Sequence, residues 1–227
     1  MCIRDRNSGT SLWTQLGQDI DGEAVDDQSG GSVSISSDGT RVAIGAQYND
    51  PTTGSNAGHV RVYEWNTPLT GQWNQVGQDI DGEAQYDYSG GSVSISSDGT
   101  RVAIGAHYND PTGGGGVGPY TDGHVRVYEW DNGTSQWNQM GSDIDGEATS
   151  YVFGSQAGFS VSISSDGTRV AIGAVGNDGN GNAAGHVQVY EWNSVTPGWE
   201  QVGQDIDGEA AGDQSGWSVS LLSLIHI

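Results

Sequence analysis

Ser32-Val33-Ser34-Ile35-Ser36, Arg41-Val42-Ala43-Ile44-Gly45-Ala46, His59-Val60-Arg61-Val62-Tyr63-Glu64-Trp65 and Trp73-Asn74-Gln75-Val76-Gly77-Gln78-Asp79-Ile80 form one unit that the chain carries three times whole. Each run alternates apolar and polar residues at period two and is rich in Val and Ile, with Gly, Asn, Asp, Ser and Thr between the runs. This is the pattern of strands joined by turns. No segment alternates at helical period. Trp13, Trp73, Trp137 and Trp199 set the repeat at 60, 64 and 62 residues (73−13, 137−73, 199−137), a length that suits a propeller blade or a solenoid unit.

Within the first two strands Val33, Ile35, Val42 and Ile44 share one face, and Ser32, Ser34, Ala43 and Gly45 share the other. A large face and a small face suit sheets stacked on both sides, as blades are around an axis. Asp38-Gly39, Asp98-Gly99 and Asp166-Gly167 close the hairpin between those strands, the favoured chemistry for a tight turn. The expected fold is therefore all-β: a β-propeller fragment of four-stranded antiparallel blades, about three whole blades plus flanking strands. The boundaries expected are 7–30 for the end of a preceding blade, 31–80, 81–144 and 145–206 for blades, and 207–221 for the start of the next.

The two ends read differently. Met1-Cys2-Ile3-Arg4-Asp5-Arg6 and Leu222-Ser223-Leu224-Ile225-His226-Ile227 back-translate to near reverse complements of one another and resemble a translated sequencing adapter. Residues 1–6 and 222–227 are set aside on that ground. Cys2 goes with them, which leaves a segment that uses neither disulfides nor thiolate chemistry.

The chain carries 38 Gly in 227 residues, and 29 acidic residues against 7 basic ones, all Arg, for a net charge of −22. That surface repels nucleic acid and anionic membranes and favours cations. No apolar run reaches the roughly 18 residues of a membrane helix, so no membrane insertion is expected in this segment.

Gly158-Phe159-Ser160-Val161-Ser162 followed by Ala171-Ile172-Gly173-Ala174 resembles the two halves of the FG-GAP repeat, the blade unit of integrin α-chain propellers. The resemblance covers residues 13–221. The aromatic appears at Phe159 and as Trp217, Gly31 and Gly91 replace it elsewhere, and Gln47, His107 and Val175 stand at the Pro of GAP. It implies a closed ring, a secreted or cell-surface setting, and a protein or glycan ligand on the loop-rich rim. Family members also bind calcium through an acidic first hairpin. Here Ser36-Ser37-Asp38-Gly39-Thr40 offers one carboxylate, where calcium takes six to eight oxygens, so that site does not carry over. Ser-x-Asp-Gly and the Gly-His-Val-Arg-Val-Tyr strand are similar instead to WD-repeat propellers, intracellular interaction platforms. Their repeat runs about 40–45 residues, and Trp-Asp occurs at the matching position only as Trp130-Asp131.

In an up-and-down blade the loops after strands two and four share a rim. That rim carries residues 47–58, 107–123 and 175–185, the connections whose length varies, and function on repeat scaffolds concentrates in such loops. Tyr48, Asn49, Asp50, His107, Tyr108, Asn109, Asp110 and Tyr120 are the expected ligand contacts. Asp178, Asn180 and Asn182 alternate as calcium ligands do and make Ca2+ the candidate cofactor. The Asp19-Ile20-Asp21-Gly22-Glu23 stretch recurs in each blade and could hold divalent cations. The plainer reading is that Ile20 packs inward while the carboxylates are solvated. Recurrent Trp is read as packing between blades, with a lectin platform as its alternative. His59, His124 and His186 are read as structural, so no enzyme is expected. Asn132-Gly133-Thr134 is a glycosylation sequon, consistent with secretion.

Overall fold

A computed structural model describes residues 4–6, 13–66, 71–110, 121–148 and 154–222. β1 (Arg4–Arg6) pairs antiparallel with β2 (Trp13–Gln15), so part of the set-aside hexapeptide takes the place of a strand beside β2. The first sheet holds β3 (Ser32–Ile35), β4 (Arg41–Ala46), β5 (His59–Asn66) and β6 (Gln72–Gln75) in that order. The second holds β8 (Ser92–Ile95), β9 (Arg101–Ala106), β10 (His124–Asp131) and β11 (Gln136–Gln139). The third holds β13 (Ala157–Ile163), β14 (Arg169–Ala174), β15 (His186–Asn193) and β16 (Gly198–Gln201). Every pairing in these sheets is antiparallel. The chain is an all-β propeller fragment of three blades, and among the described residues there is no helix, hence none that could cross a membrane.

The fourth strand of each blade is interrupted. β7 (Ile80–Asp81), β12 (Ile144–Asp145) and β17 (Ile206–Asp207) pair with the first residues of β5, β10 and β15, while β6, β11 and β16 pair with their ends. The acidic stretches thus begin as strand and leave the sheet only at Gly82, Gly146 and Gly208.

The two-faced reading of the first strands explains how blades stack. Val33 faces Ile44 and Ile35 faces Val42 across the β3–β4 ladder, which places all four on one side. Their counterparts Val93, Ile95, Val102 and Ile104 pack on Ala43, Val60, Val62 and Ile80 of the blade before. The small side lets strands approach closely enough for hydrogen bonds between blades. Ser32 Oγ donates to the Gly90 carbonyl at 2.7 Å, and the Ile95 amide donates to Ser34 Oγ at 3.0 Å. On the outside, Trp137 Nε1 donates to the Val76 carbonyl at 2.8 Å, and the Trp137 ring packs tilted against Trp130 at 5.4 Å. The recurrent Trp residues therefore weld blades together, as read from their periodicity.

Among the described residues both outer faces of the fragment are only partly covered, the first by Leu16 and Ile20, which pack on Val42 and Ile44. Val33 and Ile35 are 46% and 48% exposed, whereas Val93 and Ile95 are 9% and 7% exposed. Ile206 is 60% exposed at the other end, where Ile80 and Ile144 are buried. Residues 215–221 already follow the third blade as a further first strand would, since Ser160 Oγ donates to the Gly216 carbonyl and the Leu221 amide donates to Ser162 Oγ.

Candidate functional site

Ala46, Ala106 and Ala174 end the second strands at one rim, and His59, His124 and His186 begin the third strands there. The variable loops and the acidic stretches meet at this rim, and two constellations form on it.

The first is aromatic. Tyr48 and Tyr88 meet edge-on at 5.3 Å, Tyr88 and Tyr108 do the same at 5.3 Å, and His107 lies 4.5 Å from Tyr108. His107 also meets Phe159 at 5.5 Å, and Phe159 meets Trp217 at 4.7 Å. The rings form a continuous row from the first blade to the segment beyond the third. Gln47, Tyr48, Tyr88, His107 and Tyr108 line a cleft of about 260 Å³. Tyr48, His107 and Tyr108 were expected from the sequence; Tyr88, Phe159 and Trp217 were not expected as rim contacts. Tyr88 adopts φ +55, and Gln28, Gln156 and Gln214 hold the same left-handed position in the other copies. The fold therefore does not require an aromatic there, and that departure from the repeat was a signal available in the sequence.

Asn49 and Asn109 are not rim contacts. Both are buried, at 7% and 5% exposure, because each amide nitrogen is drawn inward, Asn49 Nδ2 donating to Asp27 Oδ2 at 3.0 Å and Asn109 Nδ2 to Asp87 Oδ2 at 3.2 Å. Their backbones also close the loop, the Asn49 carbonyl accepting from Gly58 and the Asn109 carbonyl from Gly123. Asp50 is exposed, but its Oδ1 accepts the Asn56 amide and shapes the loop. Asp110 is half-buried at the loop's edge. Tyr120 lies outside the described residues. Asp178, Asn180 and Asn182 lie in successive turns; Asn180 Nδ2 donates to the Gly208 carbonyl at 2.9 Å and the Asn182 carbonyl accepts from Gly212. These bonds tie that loop to the third blade's acidic stretch.

No family model matches the chain, and no curated protein matches it. Solved structures do. One is a putative 6-phosphogluconolactonase from Bacteroides uniformis, 13% identical, with a TM-score of 0.56 over 91% of this chain and 48% of that one. Kuenenia stuttgartiensis hydrazine synthase is 14% identical, with a TM-score of 0.41 over 85% of this chain and 42% of that one. Saccharomyces cerevisiae Sqt1 is 14% identical, with a TM-score of 0.45 over 82% and 38%. The likeness to the first is one of fold. This chain spans about half of that protein's length.

The second constellation is ionisable and repeats in every blade. Glu23, His59 and Asp79 converge in the first, Glu83, His124 and Asp143 in the second, and Glu147, His186 and Asp205 in the third. Each histidine is 1% exposed. His59 Nδ1 lies 3.9 Å from both Glu23 and Asp79, too far for a hydrogen bond. Burial, aided by the Arg61 charge, holds His59 below the ordinary imidazole range against the opposing pull of Asp79 and Glu23. Burial and Arg126 bring His124 down to about 4. Both rings are therefore neutral at pH 7. Arg61 reaches Glu23 at 3.4 Å and donates to the Asp21 carbonyl, and Arg126 does the same with Glu83 and Asp81. The inward packing of Ile20, Ile80 and Ile144 was legible in the sequence. The turning of the neighbouring carboxylates toward a buried histidine was not.

Proposed function

We propose that the chain is part of a non-enzymatic, extracellular binding propeller of the FG-GAP kind, and that its ligand is a protein segment presenting Lys or Arg on the aromatic rim. The row from Tyr48 through Tyr88 and Tyr108 to Trp217 carries this reading. Tyr88 and His107, which join its two ends, have no ring at the matching position of the other copies, so stacking of blades does not account for them. They belong to a chain with 29 acidic and 7 basic residues, and a cation over an aromatic face gains about 0.5–2 kcal/mol. Asn132, exposed on the turn between β10 and β11, presents its sequon to solvent, as glycosylation of a secreted chain would need. The lactonase activity in a structural neighbour's name does not come with a likeness of fold.

A random peptide display library panned on the chain tests the reading, with Tyr88→Gln as the comparison because three other copies carry Gln there. Enrichment of Arg- or Lys-bearing peptides that the variant fails to retain supports it. No enrichment, or equal retention by the variant, overturns it. A glycan array in which sugars bind the chain but not Tyr88→Gln would replace the protein ligand with a lectin function at the same cleft.

A further inference from the structure

The three Glu-His-Asp clusters differ in two neighbours, the first being Ser155 in the third blade where Asp27 and Asp87 stand in the first two. The second is Gln188, which stands in the third blade where Arg61 and Arg126 stand in the first two. The chain has no Lys, and the only arginine among the described residues of the third blade, Arg169, pairs with Glu191 at 3.0 Å. Glu147 and Asp205 thus converge without the guanidinium that balances their counterparts, and Asp207 stands close by.

His186 makes the cluster a site. It is 1% exposed, and neither of its ring nitrogens has a hydrogen-bond partner. Its Nδ1 points between carboxylates, 3.7 Å from Asp205 Oδ2 and 4.0 Å from Asp207 Oδ1. One ligand atom each from Glu147, His186 and Asp205 lie within 4.8 Å of one another. Two ligands held about 2.1 Å from a tetrahedral ion stand roughly 3.4 Å apart, so Asp205, with its Oδ2 3.7 Å from His186 Nδ1, is nearly in place, and the exposed Glu147 side chain would swing in by about 1 Å to complete the set. Gln188 Nε2 donates to Glu147 Oε1 at 3.3 Å and to Asp205 Oδ1 at 3.1 Å, and Tyr190 Oη donates to Gln188 Oε1 at 3.2 Å. These are the outer bonds that aim carboxylates at a metal.

We propose that Glu147, His186 and Asp205 bind one divalent transition-metal ion of the zinc type, and that Arg61 and Arg126 supply in the first two blades the positive charge that the ion supplies in the third. An imidazole beside carboxylates selects zinc-like ions over calcium or magnesium, which take oxygen alone. Glu147 is exposed and Asp205 partly so, which leaves an entry path from solvent. The inference is independent of the peptide ligand.

Isothermal titration of the chelator-treated chain with zinc chloride tests it, with far-UV circular dichroism confirming that each variant is folded. The expected result is a single tight site that Gln188→Arg weakens by about tenfold or more, and a second site when Arg126→Gln removes the built-in cation of the second blade. Cobalt loaded in place of zinc should show a spectrum with one imidazole ligand, lost in His186→Ala. Absence of zinc binding, zinc binding that Gln188→Arg leaves unchanged, or calcium competing on equal terms would each overturn the proposal.

Discussion

Replacing Gly105 with alanine should be among the most damaging single-methyl changes in this chain. Gly105 lies in β9 opposite Ser92. A Cβ placed there would overlap the Gly158 carbonyl oxygen of the next blade and Ser92 Oγ, and would stand 2.9 Å from the Gly158 carbonyl carbon. The 2.7 Å bond that Ser92 Oγ donates to that carbonyl occupies the same space. Forcing extra volume into a packed interior costs about 1–3 kcal/mol, and a buried carbonyl left without its donor costs about 1–3 more. The sum, about 2–6 kcal/mol, is a large part of the roughly 5–15 kcal/mol that holds a domain folded. Gly39→Ala is the control, because Gly39 has φ +72 but nothing within 4 Å of an added Cβ. It should lose only the roughly 1–2 kcal/mol of a left-handed backbone. Urea unfolding followed by tryptophan fluorescence gives both values. A Gly105→Ala chain that unfolds at the same urea concentration as Gly39→Ala, or above it, would refute the claim that blades meet through this glycine.

Further outcomes follow from the same packing. Ile95→Ala, in a side chain 7% exposed, should cost about 2–4 kcal/mol, whereas Ile35→Ala, the same repeat position at 48% exposure, should cost less than about 1 kcal/mol in the same urea titration. Ile35→Thr should leave stability near its starting value while reducing light scattering of the concentrated chain, because it removes apolar area from an open blade face. Lowering the pH from 7 should destabilise the chain before its carboxylates titrate. The folded His59 and His124 refuse protons, the latter down to about 4, that the unfolded chain takes up below about 6.5. Stability therefore rises with pH across that window, and His124→Gln should flatten the slope measured at pH 7, 6 and 5.

Much of the fold was legible because its determinants are local. The alternation in Arg41-Val42-Ala43-Ile44, the Asp-Gly turns and the Trp spacing each act within a few residues or recur at a fixed distance. They led to four-stranded blades with a large and a small face, and to the rim where loops vary. Tyr48, His107 and Tyr108 were readable as surface aromatics for the same reason. Asn49 and Asn109 look identical in type to exposed loop residues, yet their amides turn inward to Asp27 and Asp87, carboxylates 22 residues upstream that no local pattern ties to them.

What the sequence by itself determined is the blade: which residues form strands, where they turn and which side of each sheet is apolar. Tertiary structure alone decided what meets across blades. Glu147, His186 and Asp205 are far apart along the chain and come together because the loop leaving one blade crosses the large face of the next. Gly105 looks like any glycine in a strand until the Gly158 carbonyl arrives from the neighbouring sheet. Strand formation is governed by neighbours in sequence, whereas these contacts are set by the distance between sheets, which exists only once the blades have packed.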